Sequence, residues 1–231
     1  MIKAVIFDLD NTLIDFMGTK KASCDAAIDA MIKAGLRTPK KKAWKTLFSI
    51  YREKGIEHQQ VFQPFLEKTI GKVDYRIMAA GIVAYRRTKK AMLRTYPNVK
   101  KVLVNLHKRY RLAILSDAPV LQAWTRLVEM GIENFFDIVV TYDDTKKTKP
   151  HPKPFVTVLK KLGVKPLETV MIGDSLLRDV AGARRLGIKT ILAAYGNTGI
   201  KKTRFSPDAE ISDIKELPPV LEKFDKQPKA Y

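Results

Sequence analysis

The stretch Ala4-Val5-Ile6-Phe7-Asp8-Leu9-Asp10-Asn11-Thr12 decides how the rest of the chain is read. Four consecutive apolar residues with no alternation imply a strand buried on both faces, the signature of a parallel sheet. Two carboxylates follow directly, separated by Leu9. At strand spacing Asp8 and Asp10 point to the same side. Crowded carboxylates repel, so one of them holds a proton unless a cation stands between them.

Working outward, four similar runs appear after a gap of roughly a hundred residues: Leu112–Leu115, Ile138–Val140 with Thr141, Thr169–Ile172 and Thr190–Ala193. Amphipathic stretches near 119–131, 153–163 and 178–187 lie between them, the last two ending at Gly163 and Gly187. Strands alternating with single helices predict an α/β fold with a doubly wound parallel sheet. Residues 16–95 break the pattern. Their apolar positions recur at helical spacing (Ala27, Met31, Ala34; Trp44, Leu47, Phe48, Tyr51), and glycines and prolines divide them into about four helices. The expected organisation is therefore a core of residues 1–15 and 96–231 with an all-α insert at 16–95. A final helix is expected from Glu216, fraying after Lys226. Trp44 and Trp124 are expected to pack the insert and the core respectively.

The chain has 231 residues, 45% hydrophobic and 29% charged, as in ordinary globular proteins. No apolar run approaches the ~20 residues of a membrane span, and Asp8 and Asp10 interrupt the apolar N-terminus before a signal core could form. A single cysteine, Cys24, excludes an internal disulfide and a cysteine-rich metal site. These features predict a cytoplasmic protein without membrane partners. The net charge of +19 is unusual, and the insert, with 18 Lys/Arg against 6 Asp/Glu, carries +12 of it. Such a surface attracts polyanions. The insert holds no recognisable nucleic-acid motif, so a non-catalytic nucleic-acid-binding role ranks as an alternative resting on charge alone. Oligomeric state is not legible.

Parallel strands deliver their C-terminal ends to one edge, where ligands bind. The first strand delivers Asp8, the second Ser116, and the fourth Asp174 after Gly173. Asp8, Asp10 and Asp174 together make an oxygen-rich site suited to hard Mg²⁺. Ser116 either holds a phosphate oxygen with nearby backbone N–H groups or caps a helix. Lys149, in Thr-Lys-Pro-His-Pro-Lys-Pro, lies on a backbone restricted by prolines and can set an ammonium beside the carboxylates. Asp179 orients Lys149, orients a metal-bound water, or favours a helix dipole.

These residues together resemble the haloacid dehalogenase (HAD) superfamily. Asp8-Leu9-Asp10-Asn11-Thr12 is similar to its first motif, Ser116 to the second, Lys149 within Lys-Pro-His-Pro to the third, and Gly173-Asp174 through Asp179 to the fourth. The helical insert resembles the family's C1-type cap, which closes over the active site. The resemblance implies catalysis by Asp8, Asp10, Ser116 and Lys149. Asp8 is then the nucleophile of an aspartyl-phosphate mechanism and Asp10 the general acid and base. Mg²⁺ is held by Asp8, Asp174 and the Asp10 backbone carbonyl. Thr12, Ser116, Asp117 and Lys149 contact the substrate, and Asp179 supports them. The presence of Asp10 favours phosphate monoesters over haloacids, because only the former have an alcohol leaving group to protonate. The implied function is a Mg²⁺-dependent phosphatase acting on a small phosphorylated metabolite, polyanionic if the basic insert reads it. A phosphomutase and a 2-haloacid dehalogenase are the alternatives within the superfamily. Asp117 stands where many relatives have Asn. Either it turns away to pair with a base or the substrate contacts differ.

Overall fold

A computed structural model describes residues 1–196 and 204–226. The chain divides into two compact units, one of Met1–Asp15 with Arg94–Tyr231 and one of Phe16–Leu93.

The first unit is built on a sheet of six strands in the order β3-β2-β1-β4-β5-β6, all parallel. The strands are β1 (Ala4–Phe7), β2 (Arg111–Leu115), β3 (Ile138–Val140), β4 (Thr169–Gly173), β5 (Lys189–Ala193) and β6 (Ala209–Ile211). β1 and β4 are buried along their whole length, as continuous apolar runs in a doubly covered sheet must be. The order reverses beside β1, which pairs with β2 on one side and β4 on the other. The C-terminal ends of these three strands therefore frame the switch point where doubly wound sheets bind ligands. Registers Phe7↔Ile114 and Phe7↔Ile172 hold those ends level.

Connections run through α5 (Val99–Leu106), α6 (Val120–Met130), the single turn α7 (Tyr142–Thr145), α8 (Pro152–Leu162), α9 (Ala181–Arg184) and α10 (Leu217–Lys226). Gly131 and Gly163 close α6 and α8 in left-handed conformation, each donating its N–H to the last carbonyls. Three readings need correction. β6 and α5 are additions: β6 is a three-residue edge strand, and α5 buries Val99, Val102, Leu103 and Leu106. The segment expected as a helix from 178 begins as a wide π-type turn over Leu176–Val180 before α9. Trp124 does not pack into the core; it is 39% exposed, and the buried stripe of α6 is Ala123, Arg126 and Leu127. The chain after Lys226, where fraying is expected, lies outside the described residues.

The second unit contains α1 (Phe16–Lys33), α2 (Lys40–Lys54), α3 (Phe62–Ile70) and α4 (Tyr75–Met92). Asp74 caps α4 by accepting from the N–H groups of Arg76 and Ile77. Cys24, Ala27, Ile28, Met31, Leu47, Ile50, Phe65 and Leu66 form its core. The sheet unit has a separate core around Ile6, Leu115, Val140, Phe155 and Met171. Each unit thus has the apolar interior a domain requires. No helix among the described residues is long and apolar enough to cross a membrane.

Candidate active site

The chemistry-bearing residues of the sheet unit converge at the ends of β1, β2 and β4. Asp8 continues the ladder by one bond, its N–H donating to the Ile172 carbonyl at 2.8 Å. Beyond it the chain turns sharply. Asn11 takes a left-handed φ of 63°, and the N–H of Leu13 returns to the Leu9 carbonyl. This turn swings Thr12 back, so its hydroxyl donates to Asp8 Oδ2 at 3.2 Å. Tyr195 buttresses it from the end of β5 by donating to the Thr12 carbonyl at 2.8 Å.

Lys149 is the hub. Its ammonium is buried, donates to Asp8 Oδ1 at 2.5 Å and to the Leu115 carbonyl at 2.9 Å, and lies 2.8 Å from Asp179 Oδ1. One cation thereby ties the ends of β1 and β2 to the turn after β4. Burial disfavours its charge, but Asp179 and Asp8 more than offset that cost and lift its pKa well above the ordinary lysine value. Asp179 Oδ2 accepts from the Ser175 N–H at 3.0 Å, closing the wide turn around it. Gly173 permits this approach, because a Cβ there would stand 2.3 Å from the Asp179 carboxyl group.

Asp174 joins the same cluster. Asp8, Asp174 and Asp179 each offer a carboxylate oxygen, all within 4.8 Å of one another. Burial first, then Asp8 and Asp179, push the Asp174 pKa up to about 8. Its Oδ1 is buried with no hydrogen-bond donor among the described residues, and Arg178 Nη2 is 3.8 Å away. Lys149 contacts both Asp8 and Asp179 but not Asp174, so a hard divalent cation would relieve the remaining repulsion at Asp174, and the oxygen donor set fits one.

Asp10 stands apart from this cluster. Its Oδ2 accepts from Arg126 Nη1 at 2.7 Å, an ion pair in which the arginine side chain is 4% exposed. Sequence reasoning missed Arg126. The available signal was its place beside Ala123 and Leu127 on the apolar stripe of α6, where a charge requires a partner. Arg178 was missed too. It supplies the base that Asp117 turns to, with Nη1 at 3.4 Å from Asp117 Oδ2, while Asp117 Oδ1 accepts from the Lys149 backbone N–H at 2.8 Å. Ser116 is buried at the end of β2. Its N–H continues the ladder to Val140, and its hydroxyl accepts from the Ala118 N–H at 3.1 Å. Ser116 does not cap α6, whose N-cap is Pro119; its hydroxyl closes a local turn ahead of that helix. The nearby His151 caps α8, accepting from the Lys153 N–H.

Residues 5–193 match the family model described as haloacid dehalogenase-like hydrolase. The chain is 34% identical over 226 residues to a glyceraldehyde 3-phosphate phosphatase of Methanothermobacter thermautotrophicus, covering 96% of this chain and all of that one. It is 32% identical over 227 residues to the protein of the same name from Pyrococcus furiosus, covering 98% and 94% of the two chains. Among solved structures it is similar to a HAD phosphatase from Thermococcus onnurineus, with a TM-score of 0.70 and 27% identity over 95% of this chain and 98% of that one. The protein belongs to the haloacid dehalogenase-like hydrolase family.

Proposed function

We propose that the protein hydrolyses a small phosphate monoester through an aspartyl-phosphate, with Asp8 as nucleophile, and that glyceraldehyde 3-phosphate is a substrate. The observation that carries the reading is the buried Asp8–Lys149–Asp179 arrangement beside Asp174, at the switch point of the sheet. Lys149 donates to one oxygen of Asp8 and Thr12 to the other, which fixes the rotamer of the carboxyl group. An ionised, oriented carboxylate is the form able to attack phosphorus. The Lys149 ammonium also lowers the cost of gathering negative charge at this edge. Asp10 protonates the leaving alcohol and then takes a proton from water, and Arg126 positions it. Asp8 and Asp174, with the Asp10 backbone carbonyl, hold Mg²⁺, which when bound neutralises charge on the transferred group. Ser116 and Lys149 contact the phosphoryl oxygens. The substrate class follows from the names of the relatives, which match this chain along nearly its full length. The helical unit serves as the cap, and a reducing cytoplasm suits the lone thiol.

The test is phosphate release from glyceraldehyde 3-phosphate, with and without Mg²⁺, for wild type and Asp8→Asn. Turnover that requires the metal and falls about 10⁴-fold or more in the variant is expected. Turnover by a folded Asp8→Asn protein at wild-type rate would overturn the assignment of the nucleophile.

A further inference from the structure

The wide turn Leu176–Val180 brings two charged side chains to the acidic cluster. Asp179 meets Lys149. Arg178, its N–H donating to Ser175 Oγ at 3.2 Å, reaches Asp117 with one guanidinium nitrogen and Asp174 with the other.

The two contacts differ in kind. Nη1 is 3.4 Å from Asp117 Oδ2, within hydrogen-bonding distance, whereas Nη2 stands 3.8 Å from Asp174 Oδ1, an ion-pair distance only. Asp174 Oδ1 therefore keeps no hydrogen-bond donor among the described residues although it is buried. Asp117 is itself anchored, because its Oδ1 accepts from the Lys149 backbone N–H at 2.8 Å. A fixed carboxylate thus ties the guanidinium near Asp174 but short of a hydrogen bond to it.

Formal charge gives this placement a consequence. Asp8, Asp117, Asp174 and Asp179 are paired against Lys149 and Arg178, so the cluster carries −2. A divalent cation neutralises that charge. Without Arg178 the cluster would carry −3, and its attraction for the same cation would rise. The Arg178 side chain is 44% exposed, so solvent and salt screen its field without abolishing it.

We propose that Asp117 and Arg178 together set the divalent-cation affinity of the site: the guanidinium weakens binding by repulsion, and Asp117 limits that repulsion by holding it off Asp174. The inference rests on the metal-binding part of the proposed function, and it concerns two residues to which that reading gives no metal role. The tether is open to test at Asp117. In Asp117→Asn the amide oxygen still accepts from the Lys149 N–H, but the amide NH₂ then meets the guanidinium donor to donor. Arg178 is released toward Asp174, its remaining carboxylate partner.

The experiment titrates EDTA-stripped full-length protein with Mn²⁺, counting the free ion by its EPR signal, and displaces it with Mg²⁺ at constant ionic strength. No substrate is present. Arg178→Met should lower the Kd about tenfold or more, and Arg178→Lys, which keeps the charge, should stay within about threefold of wild type. Asp117→Asn should raise the Kd about threefold or more, but change it little in the Arg178→Met background. Asp174→Asn should abolish binding in every background, which locates the ion. Arg178→Met binding at wild-type affinity or weaker overturns the proposal. So does an Asp117→Asn effect of equal size with and without Arg178, or binding that survives Asp174→Asn. If wild type and Arg178→Met both fail to bind the ion, the metal reading falls as well; equal binding by both removes this inference alone. Urea unfolding in EDTA identifies any variant that is not folded. If Arg178→Met is one, Arg178→Gln takes its place with the same required gain.

Discussion

The two units treat charge in opposite ways. In the sheet unit the charged groups that matter are buried: Asp8, Asp174, Asp179, Lys149 and Arg126 are all nearly inaccessible, and the first four gather at the ends of β1, β2 and β4. In the helical unit the charge is mostly spread over solvated helix faces, and Lys20 is its buried charged side chain. The difference follows from architecture. A parallel sheet gathers side chains from residues more than a hundred positions apart onto one edge, where opposite charges can offset each other's desolvation. A helix hands its polar face to water unless a neighbour covers it. Charge is therefore structural in the sheet unit, and largely a surface field in the helical one.

The sharpest way to break that comparison is Lys149→Met. Removing the shared cation strands Asp8 and Asp179 as uncompensated buried carboxylates, and a loss of about 3–5 kcal/mol is expected in urea unfolding. Adding Asp179→Asn to Lys149→Met should restore a good part of the stability while leaving turnover abolished. If Lys149→Met unfolds at the wild-type midpoint, the cluster is not held by mutual compensation. By contrast, Lys40→Met, which removes an exposed double ion pair on the helical unit, should leave the urea midpoint nearly unchanged.

Arg126→Met tests the second buried pair of the sheet unit. Asp10 keeps its place in the sequence but loses its clamp, so kcat should fall about 10²-fold with KM little changed. Arg126→Lys, which retains the charge but not the fork, should recover part of it. A fall in stability with intact kcat in the surviving folded protein would mark Arg126 as a packing residue only.

What the sequence disclosed tracks the same division. The strands bearing Asp8, Ser116 and Asp174 were legible because continuous apolar runs have few other readings, and a parallel edge follows from the alternation with helices. Lys149 was legible because its proline neighbours restrict the backbone. Arg126 and Arg178 were not: Arg178 reads locally as an exposed charge, the position of Arg126 on the apolar stripe of α6 asks for a partner without naming it, and their partners Asp10 and Asp117 lie 116 and 61 residues away. β6 was hidden for another reason: three residues, Ala-Glu-Ile, carry too little pattern to separate an edge strand from a loop. In the helical unit the four helices were evident from periodicity, but a cavity at Lys20 was not, since it gathers residues of all four helices and the segment between α2 and α3.

Gly173→Ala sharpens the comparison at the level of backbone approach. The new methyl group would meet the Asp179 carboxyl at 2.3 Å and must displace it from Lys149. A cost of about 1–3 kcal/mol is expected in thermal unfolding, with turnover falling alongside it. Retention of wild-type activity would show that Asp179 need not hold Lys149 for catalysis.

The smallest effect belongs to the helical unit and is read by its thiol. Cys24 is fully buried on α1, and burial, only partly offset by Lys20, pushes its pKa up to about 11. Both facts slow a thiol reagent: access requires opening of the unit, and at pH 8 only roughly 0.1% of the group is thiolate. Native protein should therefore react far more slowly than unfolded chain at pH 8. Once the unit opens, the thiol returns to its ordinary pKa, so labelling reports that opening directly. If the two units unfold independently, Lys149→Met will destabilise the sheet unit without accelerating Cys24 labelling. If labelling accelerates in proportion to the lost stability, the helical core of Ile28, Met31 and Leu47 does not hold on its own, and the contrast between the units is one of charge but not of cooperativity.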